Sequence, residues 1–365
     1  GVKIMTIQLF DGAYSASLAL EARAMKYAAD NGAVILQCSW GYHSSKSNLV
    51  MGYIPGPATE EEWAATYPLE KEALDYFIHN AGSPNGVIDG GLAIFASGNE
   101  YAAQSSFPAA YSKCISVAAL AADFTPATYT NYGSEVALSA PGGDLEYYGT
   151  PGEADEAYDE QGVLREQGAI FSTLVVNGVP GYGYYEGTSM ACPHVSGVAA
   201  LGLAYAKQLK RHFTWEEFRD LMVSTGEDID SYFVGDKLIH WNHTSPGATP
   251  TKIALGGYKG KMGRKVDAGA LLKAIDGSGR DMRLPNIYIA PESTCTLELG
   301  DYFVEKPTFA EVGKTAVATA TLQGTTLTIK ALSEGNTTLT ITLEGGKSHT
   351  SNIIVRRGAN DNGIL

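Results

Sequence analysis

The run Gly187-Thr188-Ser189-Met190-Ala191-Cys192-Pro193-His194-Val195-Ser196-Gly197 continues without a break into Val198-Ala199-Ala200-Leu201-Gly202-Leu203-Ala204. Side chains this small let a helix pack closely against its neighbours, so the rest of the chain has to be layered around it. The Gly-Thr-Ser turn sets the Ser189 hydroxyl at the mouth of that helix. Backbone N–H groups without intrahelical partners and the positive end of the helix dipole lie there. Pro193 falls in the first turn, where a missing N–H costs little. Such a position suits a nucleophile whose product is an oxyanion.

The flanking sequence supplies a β-α-β rhythm. Val2–Leu9 is a short apolar run of the buried-strand type. Ser17–Asn31 carries Leu18, Leu20, Ala22, Met25, Ala28 and Ala29 at helical spacing, with Gly32 closing the helix. Ala33–Cys38 is continuously apolar, as strands of a parallel sheet are, and leads into Ser39-Trp40-Gly41. After the polar, turn-rich stretch Tyr42–Thr66, the sequence predicts a helix over Glu70–Ala81. A buried strand follows over Gly91–Ala96, ending on Ser97-Gly98-Asn99-Glu100, with further strands at Cys114–Leu120 and Ile170–Val175. Trp215–Ser224 and Val266–Ile275 read as helices. The pattern is that of an α/β fold with a doubly wound parallel sheet and right-handed crossovers.

From Leu284 the helical periodicity stops and threonine rises. Leu327–Ala331 and Leu339–Leu343 alternate with period two on either side of Gly335-Asn336, and Asn352–Arg356 gives a last strand. Short strands with turn signals predict an all-β sandwich. The expected domains are therefore 1–283 and 284–365.

Lys and Arg number 26 against 40 Asp and Glu, a net charge of −14. That argues against nucleic acid or an anionic membrane surface as partner. No apolar stretch is long enough for a transmembrane segment. Cys38, Cys114, Cys192 and Cys295 each stand in apolar or small-residue surroundings, which predicts buried thiols and no disulfide framework. Asp144–Glu166 holds eight acids and one base, Arg165. A solvated insertion is the expectation, with a calcium site or an active-site lid as alternatives. Its acids have no fixed ligand spacing, so no metal ligand is assigned.

The Ser189 block resembles the subtilisin-like serine proteases (subtilases), whose nucleophile segment reads Gly-Thr-Ser-Met-Ala-x-Pro-His-Val-x-Gly. Other segments are similar to the family's in the same order. Val34–Gly41 matches a strand ending in Ser-x-Gly, Ala96–Glu100 matches Ala-x-Gly-Asn-Glu, and Phe107-Pro108-Ala109 matches aromatic-Pro-Ala. Asn131–Gly142 matches Ser-Asn-Tyr-Gly … Ala-Pro-Gly, and Lys265-Val266-Asp267-Ala268 matches the terminal Val-Asp-Ala. The resemblance runs from about residue 2 to about residue 276. The last strands resemble bacterial immunoglobulin-like repeats, which suggests a spacer or adhesion module.

The resemblance implies a serine endopeptidase acting on polypeptides, from an exported protein that is secreted, at the cell surface or periplasmic. No cofactor is implied, and calcium stays open. Ser189 would attack the scissile carbonyl, and the oxyanion would receive the Ser189 N–H and the Asn99 side-chain amide. Ser39, Trp40 and Gly41, with Ala96, Ser97 and Gly98, correspond to the segments that hold substrate. Trp40 either lines a pocket or fills the core.

The base and its orienting acid have no counterpart. The family's order is Asp, His, Ser, with the histidine in His-Gly-Thr. None of the seven histidines (His43, His79, His194, His212, His240, His243, His349) stands in that motif. His194 follows Ser189 by five residues on one helix, about 140° round it. His43 is a weak substitute, and Asp11 lies in a turn away from the family's aspartate. Gly1-Val2-Lys3-Ile4-Met5 reads as the middle of a protein, without a signal peptide. The expectation is a chain not competent alone, completed by an N-terminal segment of the same protein that carries Asp and His. In the family, the strand bearing the Asp lies between the equivalents of Val2–Leu9 and Val34–Cys38. The gap would be closed by that segment, by an inward shift of the first strand, or by another copy. The rival reading is a non-catalytic, protease-like module that binds peptide or protein. An unrelated hydrolase with a nucleophile elbow fails for want of Gly-x-Ser-x-Gly.

Overall fold

The computed structural model describes residues 1–10, 16–82, 86–144, 168–176, 178–239, 251–276, 284, 286–303 and 305–356. Along the first part of the chain come α1 (Leu18–Asp30), β1 (Ile35–Cys38), α2 (Glu60–Thr66), α3 (Pro68–Asn80), β2 (Ile88–Asp89), β3 (Leu92–Ala96), β4 (Ile115–Leu120) and β5 (Val136–Pro141). The hairpin β6 (Ile170–Val176) and β7 (Val179–Tyr185) precedes α4 (Thr188–Gln208), β8 (Phe213–Thr214) and α5 (Trp215–Thr225). The antiparallel pair β9 (Asp236–Ile239) and β10 (Thr251–Ala254) is followed by β11 (Arg264–Lys265) and α6 (Ala268–Asp276).

The central sheet has five strands in the order β1-β3-β4-β5-β11, all parallel. Both its faces are covered. Ile115, Val117 and Ala119 of β4 enter the main core with Ala191, Cys192, Val195 and Ala199 of α4. Ala118 and Leu120 point into a second cluster with Ile229, Phe233, Leu255 and Met262. That is why the strand reads as one apolar run and not as an alternation.

Helix ends follow local chemistry. Ser17 caps α1 by accepting the Leu20 N–H. Thr214 and Glu217 form a reciprocal capping box on α5. α2 lies inside the stretch read as a loop. Thr59 accepts from the Glu62 N–H while the Glu62 carboxylate accepts from the Ala58 N–H, a Thr-x-x-Glu start signal overlooked among the polar residues.

Two strands differ from expectation. Residues 1–10 form no strand, and Ile4 is 91% exposed. A strand persists only where a neighbour takes its N–H and C=O groups, and no described strand borders this segment. Correspondingly, β1 pairs along one edge with β3, and its other edge has no strand among the described residues. Ile35 and Leu36 are half-buried and Gln37 is exposed, so β1 is an edge, not the covered strand its composition predicts.

The C-terminal part holds β12 (Ile287–Ile289), β13 (Thr294–Glu298), β14 (Pro307–Val312), β15 (Ala318–Gln323), β16 (Thr326–Ala331), β17 (Gly335–Leu343) and β18 (Ser348–Val355). They form one sheet in the order β12-β18-β17-β14 and another in the order β13-β16-β15, sharing a core of Leu297, Leu327, Ile329, Leu339, Ile341 and Ile353. Gly335-Asn336, read as a turn, opens β17 instead. This part is fastened to the α/β part by Arg356. Its guanidinium donates to Asn80 O, Ala29 O and Gly82 O, at the C-terminal ends of α3 and α1. The Asn286 N–H donates to the Asp89 carboxylate at 2.6 Å.

Asp144 corrects the solvated reading at the start of the acidic stretch. It is fully buried, accepts from Thr128, and pairs with Lys237 Nζ at 2.7 Å. Residues 145–167 lie outside the described residues.

Candidate active site

The site forms where three segments meet at the C-terminal ends of β1 and β3. α4 begins at Thr188 after Gly187, whose φ of +144° and ψ of 159° belong to a region closed to most side chains. The Gly187 N–H donates to Gly142 O at 2.9 Å, tying the turn to the end of β5. Thr188 is thereby buried, and Ser189 is left half-exposed on the first turn.

The segment after β1 grips that turn. Ser39 Oγ donates to Ser189 O at 2.9 Å, and Gln37 Nε2 donates to Ser39 Oγ at 2.8 Å. Ser189 Oγ in turn lies 3.4 Å from Ser39 O, to which it donates. Among the described residues no imidazole or carboxylate is hydrogen-bonded to that hydroxyl. Beneath, Cys192 Sγ reaches Cys38 O and Ile94 O at 3.6 and 3.5 Å, fixing α4 against β1 and β3. Burial pushes its thiol up to about 11, so it is a packing group at neutral pH.

The segment after β3 completes the site. Asn99 is exposed, and its Oδ1 accepts from Thr188 N at 2.9 Å and from Thr188 Oγ1 at 2.8 Å. A backbone N–H can only donate, so the amide orientation is fixed and Nδ2 is the end left for another acceptor. Asn99 and Ser189 are therefore brought together through Thr188, which the sequence reading passed over. Ala96 and Ser97 are buried and Gly98 half-buried. Ser106 N donates to Ser97 O, and Tyr42 N to Phe107 O, closing the segments onto each other. Trp40 is half-buried, its ring edge-on to Phe95 at 5.4 Å, so the indole packs on the core and keeps one side exposed.

The other candidates stand apart. His194 Nδ1 is 2.8 Å from Met190 O on its own helix, and the His43 ring packs against Tyr53. Asp11 lies outside the described residues. Among the described residues no group of three or more His, Cys, Asp or Glu side chains could hold a metal, and no helix is long and apolar enough to cross a membrane.

The model of the subtilase family matches residues 1–253. A calcium-dependent protease of Nostoc sp. is 28% identical over 68% of this chain and 34% of its own length. Subtilisin amylosacchariticus of Bacillus subtilis subsp. amylosacchariticus is 31% identical over 49% of this chain and 42% of its own. Among solved structures, the patellamide maturation protease PatA aligns with a TM-score of 0.47 at 19% identity, over 74% of each chain. The chain spans about a third of the length of this Nostoc protease and 17% of a halolysin from Haloferax mediterranei that it also matches. With a parallel α/β sheet and a family match over more than half of its length, the chain belongs to the subtilase family.

Proposed function

We propose that Ser189 is the nucleophile of a subtilisin-type serine endopeptidase and that this chain supplies the nucleophile and the oxyanion site but not the base. The observation that carries the reading is the pair of hydrogen bonds from Thr188 to Asn99 Oδ1. They turn the remaining donor of the Asn99 amide into a fixed dipole beside the nucleophile turn. The Ser189 N–H at the start of a 21-residue helix is the second donor. Ser39–Gly41 and Ala96–Gly98 flank the cleft for an extended polypeptide.

In the proposed reaction Ser189 Oγ adds to the scissile carbonyl, and a histidine from outside these 365 residues takes its proton. The oxyanion rests on Asn99 Nδ2 and Ser189 N, and the amine leaves with the proton returned by that histidine. Water then cleaves the acyl-enzyme by the same route. The edge of β1 that has no strand among the described residues is the landing site for the strand that brings the aspartate. An N-terminal segment of the same protein is its occupant. The α/β part extends over 1–283 and the β-sandwich over 284–365, the latter an attachment module. An extracellular basic protease of Dichelobacter nodosus, 34% identical over 37% of this chain, supports export.

The test begins with the coding sequence upstream of Gly1, read for an Asp strand end and a His-Gly-Thr helix start. That segment, added to the 365-residue chain, is expected to bind and to restore casein hydrolysis. Binding without hydrolysis, or absence of both motifs, would leave a protease-like peptide-binding module in its place.

A further inference from the structure

Asn131 stands 34 residues from Ser97 in sequence and makes no hydrogen bond to Ser189, yet each of its polar atoms bonds the loop that carries Asn99. Its Nδ2 donates to Ser97 O at 3.0 Å and to the Glu100 carboxylate. Its Oδ1 accepts from Glu100 N at 3.1 Å and from Ala102 N at 2.9 Å. Its backbone N–H donates to Gly98 O at 2.9 Å, and its carbonyl accepts from Ser97 Oγ at 3.2 Å. The residue is fully buried.

We propose that Asn131 is the positioning residue for the Asn99 amide. It pins the loop at Ser97 and Gly98 on one side of Asn99 and at Glu100 and Ala102 on the other. The exposed Asn99 side chain is thereby delivered to Thr188 with its Nδ2 free. The inference rests on the reading of Asn99 as an oxyanion donor.

The chemistry at 131 singles out asparagine. Two donors and two acceptors are used at once, which a carboxylate or a hydroxyl lacks. An aspartate would also place a second negative charge against Glu100. Gly98, at φ +108°, passes so close to the Asn131 amide that a side chain there would collide with it. A fully satisfied buried network of this kind rigidifies what it holds. An oxyanion donor gains its effect from being rigid before charge develops.

The test uses the full 365-residue chain and p-nitrophenyl acetate, scoring Ser189 acylation above a Ser189→Ala blank. Asn99→Ala is expected to lower the rate about 100-fold or more. Asn131→Ser is expected to lower it about tenfold, since small misplacement of a catalytic group is costly. In the double variant, Asn131→Ser should add nothing to Asn99→Ala, because it acts through Asn99. Additive losses would overturn the proposal by showing a merely structural role. Hydrogen exchange provides a readout independent of chemistry. Asn131→Ser should speed exchange of the 98–102 amides about tenfold or more while β3 and β4 stay protected. Unchanged exchange there would overturn it. Should Asn131→Ser not fold, Ser97→Ala removes one of the same hydrogen bonds and is held to the same two criteria. An Asn99→Ala rate equal to wild type would strike the oxyanion reading itself, while the exchange result still decides the role of Asn131.

Discussion

Asn99 Oδ1 accepts both the backbone N–H and the hydroxyl of Thr188, at 2.9 and 2.8 Å. The Gly187–Ser189 turn and the loop that carries Asn99 thus orient each other through one buried threonine. Thr188→Val keeps the N–H bond and the shape but loses the hydroxyl bond. It is expected to cost about 0.5–1.5 kcal/mol of stability and to slow Ser189 acylation less than Asn99→Ala does. Urea unfolding and p-nitrophenyl acetate kinetics read the two effects. A rate equal to wild type would mean that the hydroxyl does not steer the amide.

Glu70 makes stability depend on pH. It is fully buried, with Oε2 accepting from Trp63 Nε1 at 2.7 Å and from the Tyr42 hydroxyl at 3.2 Å. Burial pushes its carboxyl up to about 7, the Trp63 and Tyr42 hydrogen bonds opposing and the Glu21 charge adding. A raised carboxyl pKa favours the folded state below the ordinary value near 4.5, and that contribution is lost as pH rises toward 7. Glu70→Gln keeps an acceptor for Trp63 and removes the charge. It is expected to flatten the fall in stability between pH 4.5 and 7 and to gain up to about 3 kcal/mol at pH 8. Equal pH slopes for variant and wild type in urea titrations would refute this.

Arg356 joins the two parts of the molecule. Its guanidinium serves carbonyls at the ends of α1 and α3, where the helix dipoles favour a cation. α1 leads to β1 and α3, by way of β2, to β3, the strands that Ser39 and Asn99 follow. Arg356→Ala is expected to cost about 3 kcal/mol and to raise hydrogen exchange at the last turns of both helices. A loss under about 0.5 kcal/mol would show that the β-sandwich is only tethered.

The buried pair Asp144–Lys237 should be strongly non-additive. Burial raises the Asp144 pKa, and Lys237 and Thr128 oppose that rise. Lys237→Met alone leaves the carboxyl without its cation and is expected to cost about 3–5 kcal/mol. Adding Asp144→Asn should recover most of it, as unfolding midpoints would reveal. Additive losses would contradict a direct coupling.

Features encoded within a few residues were legible in the sequence. Gly32 marked the end of α1, and the small-residue run after Ser189 marked the central helix. Pairing was not legible, because an apolar run such as Ile35–Cys38 does not say how many neighbours it has. β7 was missed although Asn177-Gly178 is a two-residue hairpin signal and Tyr-Gly alternation follows it. The site's support was hidden for a different reason. Asn131 reaches Ser97 across 34 residues and Lys237 reaches Asp144 across 93, distances over which local pattern carries no information. Ser189 and Asn99 could be proposed from their motifs, whereas the hydrogen bonds of Asn131 to the loop around Asn99 could not.

Under the proposed function Ser189 and Asn99 act as nucleophile and oxyanion donor, and among the described residues no imidazole or carboxylate is hydrogen-bonded to the Ser189 hydroxyl. Intact-mass measurement of Ser189 labelling by a fluorophosphonate, with Ser189→Ala as control, tests that proposal most directly. Slow labelling of the 365-residue chain alone is expected, at most about 10³–10⁴-fold above the reaction in water. Rapid labelling is expected once a segment carrying the Asp and His is bound. Rapid labelling of Ser189 in the isolated chain would contradict the proposal.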